Sequence, residues 1–522
     1  MSTKSSAGIS KRSLIKSTSI ISLGTLSSRI LGFVRDVIIA HMLGTGWKAD
    51  AFFVAQRIPN LFRDLVGEGA ANAAVVPVFS EYVQKKDPQA LKQFVSTLAL
   101  VATGILTAVT VLGIIFAPVI VRLIAPGFSE IPGQVDLTIR LTQILFPYLI
   151  FIGLTAYSTG ILFTFRLFLI PAFSPCLLNI AFIVGAVLSV QFMKEPVYGL
   201  AVSVVIGGIA QLLVQIKPVR DQGIKIEIPD SWRHPGTEKV GKLLVPRLFG
   251  SAVYQLNIFI DTFFASLVSI VGAGGISAIY YANRIIQFPL GVFGVALVSV
   301  LLPTLSTLAA QKDTGQYKKT LAFALKGIFL IMLPLSVLCL TLPEAIIRVI
   351  FERGEFGGYS TQITSLVLFF YAFGLVSFAG SKILVAAFHS LQDTKTPVKI
   401  AAVSLGMSLL LNSILIHPFK VGGIALASVI SATVNFGLLF YCLHRKLGAF
   451  TEGMRSFLGK ILLAAILMAI AVVLGWPFLS AVPEVLRLLV VGGCGVGMFY
   501  GLCFVLKVDY MKETYRWILR RA

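Results

Sequence analysis

The sequence predicts an all-α polytopic membrane protein of about 14 transmembrane helices, built as two six-helix lobes from a parallel internal repeat plus two C-terminal helices. Three observations predict it: composition, the spacing of the apolar stretches, and similarity between segments about 225 residues apart. Apolar residues make up 57% of the 522 and charged residues only 13%, with a mean hydropathy of +0.89. Soluble domains carry about 25% charged residues. The 46 glycines and 39 phenylalanines suit helices packed closely in lipid.

A membrane span needs about 20 mostly apolar residues. That length places spans near 15–41, 49–82, 92–118, 137–162, 171–191, 197–217, 240–268, 274–308, 318–341, 361–388, 397–417, 421–443, 457–479 and 485–507. With the N-terminus in the cytoplasm, cations collect in alternate loops, as the positive-inside rule requires. The cytoplasmic set includes Lys85, Lys86 and Lys92; Arg166; Lys217, Arg220 and Lys239; Lys312, Lys318 and Lys319; Lys395 and Lys399; Arg445 and Lys446; and the tail with Arg520 and Arg521. The opposite loops hold few, and near 344–355 Arg348 and Arg353 are balanced by Glu344, Glu352 and Glu355. Both chain ends are therefore expected inside. The net charge of +21 belongs to these loops, and no soluble basic domain is present to bind nucleic acid. Lys4, Lys11, Arg12 and Lys16 precede the first apolar segment as in a signal peptide. Arg29, Arg35 and Asp36 within that segment, and the lack of a clean cleavage site, predict a retained helix instead.

The repeat divides the chain. "RDVIIAH" and "IDTFFAS" align Asp36 with Asp261 and Ala40 with Ala265, each 225 residues apart. "FVAQRI" and "YYANRI" align Arg57 with Arg284 at 227, and Pro77 with Pro303 and Lys86 with Lys312 align at 226. Pro175 with Pro397 and Ala201 with Ala425 follow at 222 and 224. Each copy holds six spans, an even number, so the copies keep one orientation, with a site expected between them near the midplane. The organisation expected is an N-lobe over 1–217, a cytoplasmic linker over 218–239, a C-lobe over 240–445, and a last helix pair with a basic tail over 446–522.

Charges inside these spans carry the chemistry. Arg29, Arg35, Arg57, Arg63 and Arg284 all fall in or at the ends of apolar stretches. A charge at the bilayer centre costs about 2.5–3.5 kcal/mol on insertion scales, so such residues face a wet cavity or a polar partner. Several of one sign point to a cavity that receives an anion. Guanidinium stays charged and forks onto phosphate oxygens, which makes a diphosphate a fitting ligand. The competing reading pairs Arg29 and Arg35 with Asp36 and Asp50 for packing alone, or lets them snorkel to headgroups. Arg57 is the weakest candidate, because Asp50 lies one heptad before it. Arg29, Gly32 and Asp36 recur at helical spacing, and Gly24, Ser28 and Gly32 permit close helix approach or local unwinding. Pro59, Gly67 and Gly32 are the expected hinges. Glu68 reads as a partner for an arginine, and Asp261 as either a symmetry mate of Asp36 or a cation or proton site.

Catalysis finds no support. The five cysteines and five histidines form no CxxC, metal-ligand or nucleophile spacing, and no Walker A, GxSxG or HExxH occurs. No enzyme activity, metal or cofactor is expected.

The run "SRILGFVRDVIIAHMLGTGWKADAFFVAQRIPNLFRDLVGEGAANAAVVPVFSEY" (28–82) resembles the signature of the MurJ (MviN) lipid II flippases, in the multidrug/oligosaccharidyl-lipid/polysaccharide exporter superfamily. "APGF" (125–128), "PAFSP" (171–175), "YYANRIIQFPLGVFGVALVSVLLPTLS" (280–306) and "DTKTPVKIA" (393–401) extend the likeness in family order. The resemblance implies 14 helices, the last two forming a lipid groove, and export of undecaprenyl-diphosphate-linked peptidoglycan precursor across the bacterial inner membrane by alternating access. It implies that Arg29, Arg35, Arg63 and Arg284 match arginines that are required or line the central cavity, and that Asp36, Asp50 and Glu68 match polar positions. One departure stands out: Phe163, in "ILFTFRLF" (161–168), occupies a place where the pattern often has asparagine, so a gate contact there is not carried over. Sodium ligands are not carried over either. The implied partner is lipid II, with cell-wall synthesis enzymes as candidate protein partners and the oligomeric state open. Coupling to membrane potential, proton or sodium stays open.

Three alternatives remain. A multidrug antiporter of the same superfamily would move organic cations, which an arginine-lined cavity repels. A flippase for another polyprenyl-diphosphate oligosaccharide shares the charge logic and differs in the signature over 28–82. A non-transporting scaffold would have no need of intramembrane charge.

Overall fold

Apolar runs of this length must satisfy their own backbone groups, and the helix is the local way to do so. The computed structural model of the protein describes residues 11–66, 70–84, 87–224, 227, 232–450, 453–508 and 510. Among the described residues all regular structure is helical. In chain order the helices are α1 (Lys11–Leu43), α2 (Trp47–Val66), α3 (Ala70–Gln84), α4 (Pro88–Ile124), α5 (Gln134–Leu145), α6 (Tyr148–Thr164), α7 (Leu169–Phe192), α8 (Pro196–Asp221), α9 (Pro235–Ala265) and the short α10 (Val268–Val271). They continue with α11 (Gly275–Pro289), α12 (Val295–Ala310), α13 (Thr314–Thr341), α14 (Pro343–Phe351), α15 (Gly358–Ser390), α16 (Lys395–Phe419), α17 (Val421–Leu447), α18 (Met454–Phe478) and α19 (Glu484–Val505). A π turn, Leu290–Gly294, joins α11 to α12 directly after Pro289, whose missing N–H interrupts the ladder.

Among the described residues eleven helical segments are long and apolar enough to cross a membrane. The expected spans outside that set are α1, the pair α2 and α3, and α9. They carry Arg29, Arg35 and Asp36; Asp50, Arg57 and Arg63; and Lys242, Arg247 and Asp261. At 33 and 31 residues, α1 and α9 are long enough to cross a membrane. Within the expected span 49–82 the described residues form α2 and α3, and Gly67 and Glu68 fall outside the described residues.

The chain forms two compact units, Met1–Gln255 and Leu256–Ala522. In the first, α7 packs along α1 and α8, α6 lies on α8, and α2 lies on α5. In the second, α15 is central against α11, α13 and α17, and α16 lies on α17. Helices α18 and α19 pair with each other, and α18 leans on α13. The segment expected as a linker over 218–239 includes the last turn of α8 and the first turn of α9, and the division between units falls within α9. The last helix pair belongs to the second unit.

Several turns that the sequence places in the cytoplasm share one design. Arg166, Lys312, Gln392 and Lys507 have φ of 61°, 58°, 58° and 53°. Each follows a helix whose last carbonyls accept from the turn. Leu167 N donates to Leu162 O at 2.8 Å, Asp313 N to Leu308 O at 3.1 Å, Asp393 N to Phe388 O at 3.0 Å and Val508 N to Cys503 O at 3.0 Å. This is a left-handed helix stop in which glycine is usual. Here three of the four are cations, which favour the negative end of the helix dipole. Arg166→Gly should relieve about 1–2 kcal/mol of left-handed strain and forfeit about 0.3–1 kcal/mol of dipole attraction. The expected result is a slightly higher melting temperature in detergent.

Described residues of the polar connection are tied to α3 and α4. Lys92 pairs with Glu227 at 2.6 Å, Glu227 N donates to Ser96 Oγ at 3.0 Å, and Lys239 pairs with Glu81. The His234 ring lies 5.5 Å from both the Tyr82 and Phe94 rings, and its Nδ1 accepts from Gly236 N at 3.1 Å. Burial against these rings lowers the His234 pKa from its ordinary value. A lowered folded-state pKa favours neutral histidine, so its contribution is complete above the ordinary value. It is lost as pH falls through the lower folded value. His234→Phe should therefore flatten the acid side of the melting temperature's pH profile below about pH 6.5, and leave the alkaline side unchanged.

Candidate substrate-binding site

Helix α1 separates two kinds of exposed surface. Leu23, Leu26, Ile30 and Val34 form an exposed apolar stripe. Ser22, Thr25 and Arg29 recur three or four residues apart and form the adjoining exposed polar stripe, whose line half-buried Gly32 and buried Asp36 continue. Arg29 is exposed on the polar stripe, and among the described residues it has no ion-pair partner.

Arg35 behaves differently. It is 8% exposed and Asp36 is 0% exposed. Its Nε and Nη2 donate to the same Asp36 oxygen, Oδ1, at 3.0 and 2.8 Å. Its Nη1 donates to Asn179 Oδ1 on α7 at 3.1 Å, and the guanidinium lies 5.0 Å from the Phe182 ring centre. Sequence reasoning grouped Arg35 with Arg29; the structure places Arg35 in the α1–α7 contact. A charge buried there must be paired and hydrogen-bonded. Of the small residues on α1, Gly24 is the one that closeness demands, since a Cβ would sit 2.5 Å from Ala172 O. At Gly32 a Cβ would meet only Asn179, at an ordinary 3.7 Å.

In α2, Asp50 is buried in the first turn, where a carboxylate favours the helix dipole. Arg57 and Arg63 are half-buried, and the helix runs unbroken through Pro59.

The second unit contributes Arg284 and Asp261. Arg284 is half-buried on α11. Its Nη2 donates to Tyr280 Oη at 3.1 Å, and the guanidinium lies 5.3 Å from that ring's centre. The tyrosine one turn earlier thus holds the fork in a set plane. Asp261 is half-buried; its Oδ1 accepts from Asn412 Nδ2 at 3.3 Å and its Oδ2 from Ser428 Oγ at 3.1 Å. The repeat mates Asp36 and Asp261 are therefore held differently: a guanidinium grips the first, while an amide and a hydroxyl donate to the second. Among the described residues no group of three His, Cys, Asp or Glu could hold a metal.

The family model described as "Lipid II flippase MurJ" matches residues 39–490. The chain belongs to the MurJ lipid II flippase family. Its relatives include the "Probable lipid II flippase MurJ" of Haemophilus influenzae, 36% identical over 478 residues, covering 88% of this chain and 91% of the relative. The Vibrio cholerae protein of the same description is 33% identical over 515 residues, covering 96% and 97%. A solved structure titled "Lipid II flippase MurJ, inward closed conformation" superposes with a TM-score of 0.77 at 27% identity, covering 93% of this chain and 98% of that one. The MurJ family match includes Asp50, Arg57, Arg63, Asp261 and Arg284, while Arg29, Arg35 and Asp36 precede it.

Sequence reasoning looked for charge and so missed Asn179, Asn412 and Tyr280. The two asparagines are 5% and 0% exposed within helices that qualify as spans. An intramembrane amide is itself a signal, because it must find a partner.

Proposed function

We propose that the protein carries lipid II, an undecaprenyl-diphosphate sugar-peptide, from the cytoplasmic to the outer leaflet of the bacterial inner membrane by alternating access, with both chain ends in the cytoplasm. Membership of the flippase family over 39–490 carries this reading. The exposed guanidinium of Arg29 beside an apolar stripe supports it. A diphosphate is anionic, and its polyprenyl tail can stay in lipid while the headgroup crosses.

Arg29, Arg63 and Arg284 bind the diphosphate oxygens, and Arg35 with Asp36 sets the position of α1. Asp50, Arg57, Glu68 and Asp261 support the site, and Gly32, Pro59 and Gly67 are the hinges. Moving one charge across the membrane is worth about 2.3 kcal/mol per 100 mV, so the potential can drive the cycle. The half-buried carboxylate of Asp261, which accepts from Asn412 Nδ2 and Ser428 Oγ, is the candidate for a second element: a proton or sodium ion taken up at that carboxylate. Asp261→Asn should then remove the dependence of flipping on the ion gradient in vesicles.

Expression in cells depleted of their own lipid II exporter tests the main reading. Rescue is expected. Failure to rescue by a protein correctly inserted in the membrane would exclude it, and rescue of cells lacking an O-antigen exporter instead would favour another polyprenyl-diphosphate cargo.

A further inference from the structure

The buried amide of Asn179 grips α1 at two points. Its Nδ2 donates to Ser28 O at 3.0 Å and to Ser28 Oγ at 3.3 Å. Its Oδ1 accepts from Arg35 Nη1 at 3.1 Å. It also leans back on its own helix, with Nδ2 3.4 Å from Pro175 O. Ser28 and Arg35 are seven residues apart, two helical turns, so both lie on the face of α1 that meets α7. Below them the contact is bare backbone, Gly24 against Ala172, which offers little resistance to rolling or sliding.

We infer that Asn179 is a positioning residue: it fixes the rotation and register of α1, and through them the direction of the Arg29 guanidinium on the neighbouring polar stripe. Arg29 directly follows the residue that Asn179 holds. A roll of α1 by one residue's angle, about 100°, would carry Arg29 from the polar stripe to another face. Leucine would fill the same space in a membrane helix without an amide to satisfy. A single buried polar residue that specifies register is a known device in packed helices. The bond to Ser28 O is an extra one, since that carbonyl has two lone pairs and already accepts within the helix. Asn179 therefore serves the helix pair rather than the helix.

This inference rests on the reading that Arg29 binds the diphosphate, and a double-substitution cycle separates the two. Purified full-length protein and the variants Asn179→Ala, Arg29→Ala and the double would be compared for lipid II affinity and melting temperature. Asn179→Ala alone should weaken binding about tenfold, the scale of one hydrogen bond to a charged group. In the Arg29→Ala background it should weaken binding no further, because no guanidinium is left to aim. A merely structural role would lower affinity by the same factor in both backgrounds, and that outcome, or an unchanged affinity in Asn179→Ala alone, overturns the inference while the reading stands. An unchanged affinity in Arg29→Ala overturns the reading beneath it. Should Asn179→Ala not fold, Asn179→Asp replaces it in the cycle. It keeps the acceptor for Arg35, loses the donor to Ser28, and is expected to show the same non-additivity.

Discussion

Arg29→Ala should abolish rescue of cells depleted of their lipid II exporter, while the protein accumulates in the membrane at its normal level. Both halves follow from the geometry. A guanidinium can give a phosphate two charge-assisted bonds, each worth about 1.5–3 kcal/mol, so the loss in affinity is about 10²–10⁴-fold. Folding should be spared, because Arg29 is exposed and among the described residues has no ion-pair partner to strand. Arg29→Lys should fall between the two, since it keeps the charge and loses the fork. Arg284→Ala should give the same loss of rescue, but Arg284→Lys should be more damaging than Arg29→Lys. The Arg284 plane is set by Tyr280, and an ammonium cannot reproduce that stacking. Quantitative growth against induced expression level checks both.

Asp36→Ala should destabilise the first unit by about 3–5 kcal/mol, because it leaves the Arg35 charge buried without its carboxylate. Arg35→Met with Asp36→Leu should recover most of that loss, since a buried pair exchanged for well-packed apolar residues is often neutral. Thermal melts of the three proteins in one detergent decide the matter. If Asp36→Ala melts like the parent, the pair is not a packing element, and Arg35 returns to the set of ligand-binding arginines.

Much of the fold was legible because membrane helices announce themselves by length and hydropathy, and cation-bearing loops separate them. The expected span 171–191, a simple apolar run, is one helix, α7 (Leu169–Phe192). The stretch 49–82 likewise reads as a span, and its described residues are helical, as α2 and α3. At the site, the sequence could rank residue types but not their directions. Arg29 and Arg35 differ by six positions, which puts them on different sides of α1: one on the polar stripe, one against α7. Helical spacing alone placed Arg29, Gly32 and Asp36 together. It could not show that Asp36 is engaged by its own neighbour, because that depends on which face α7 covers. Asn179 escaped attention because amides were not weighed with charges.

Direct binding tests most simply whether the guanidiniums of Arg29 and Arg284 bind the diphosphate. Undecaprenyl diphosphate, lacking sugar and peptide, should compete with lipid II for the purified parent protein in detergent or nanodiscs. Competition should weaken by about 10²-fold or more in Arg29→Ala and in Arg284→Ala, with undecaprenol inactive throughout. Equal competition by undecaprenyl diphosphate in the parent and both variants, or equal competition by undecaprenol, would contradict the account.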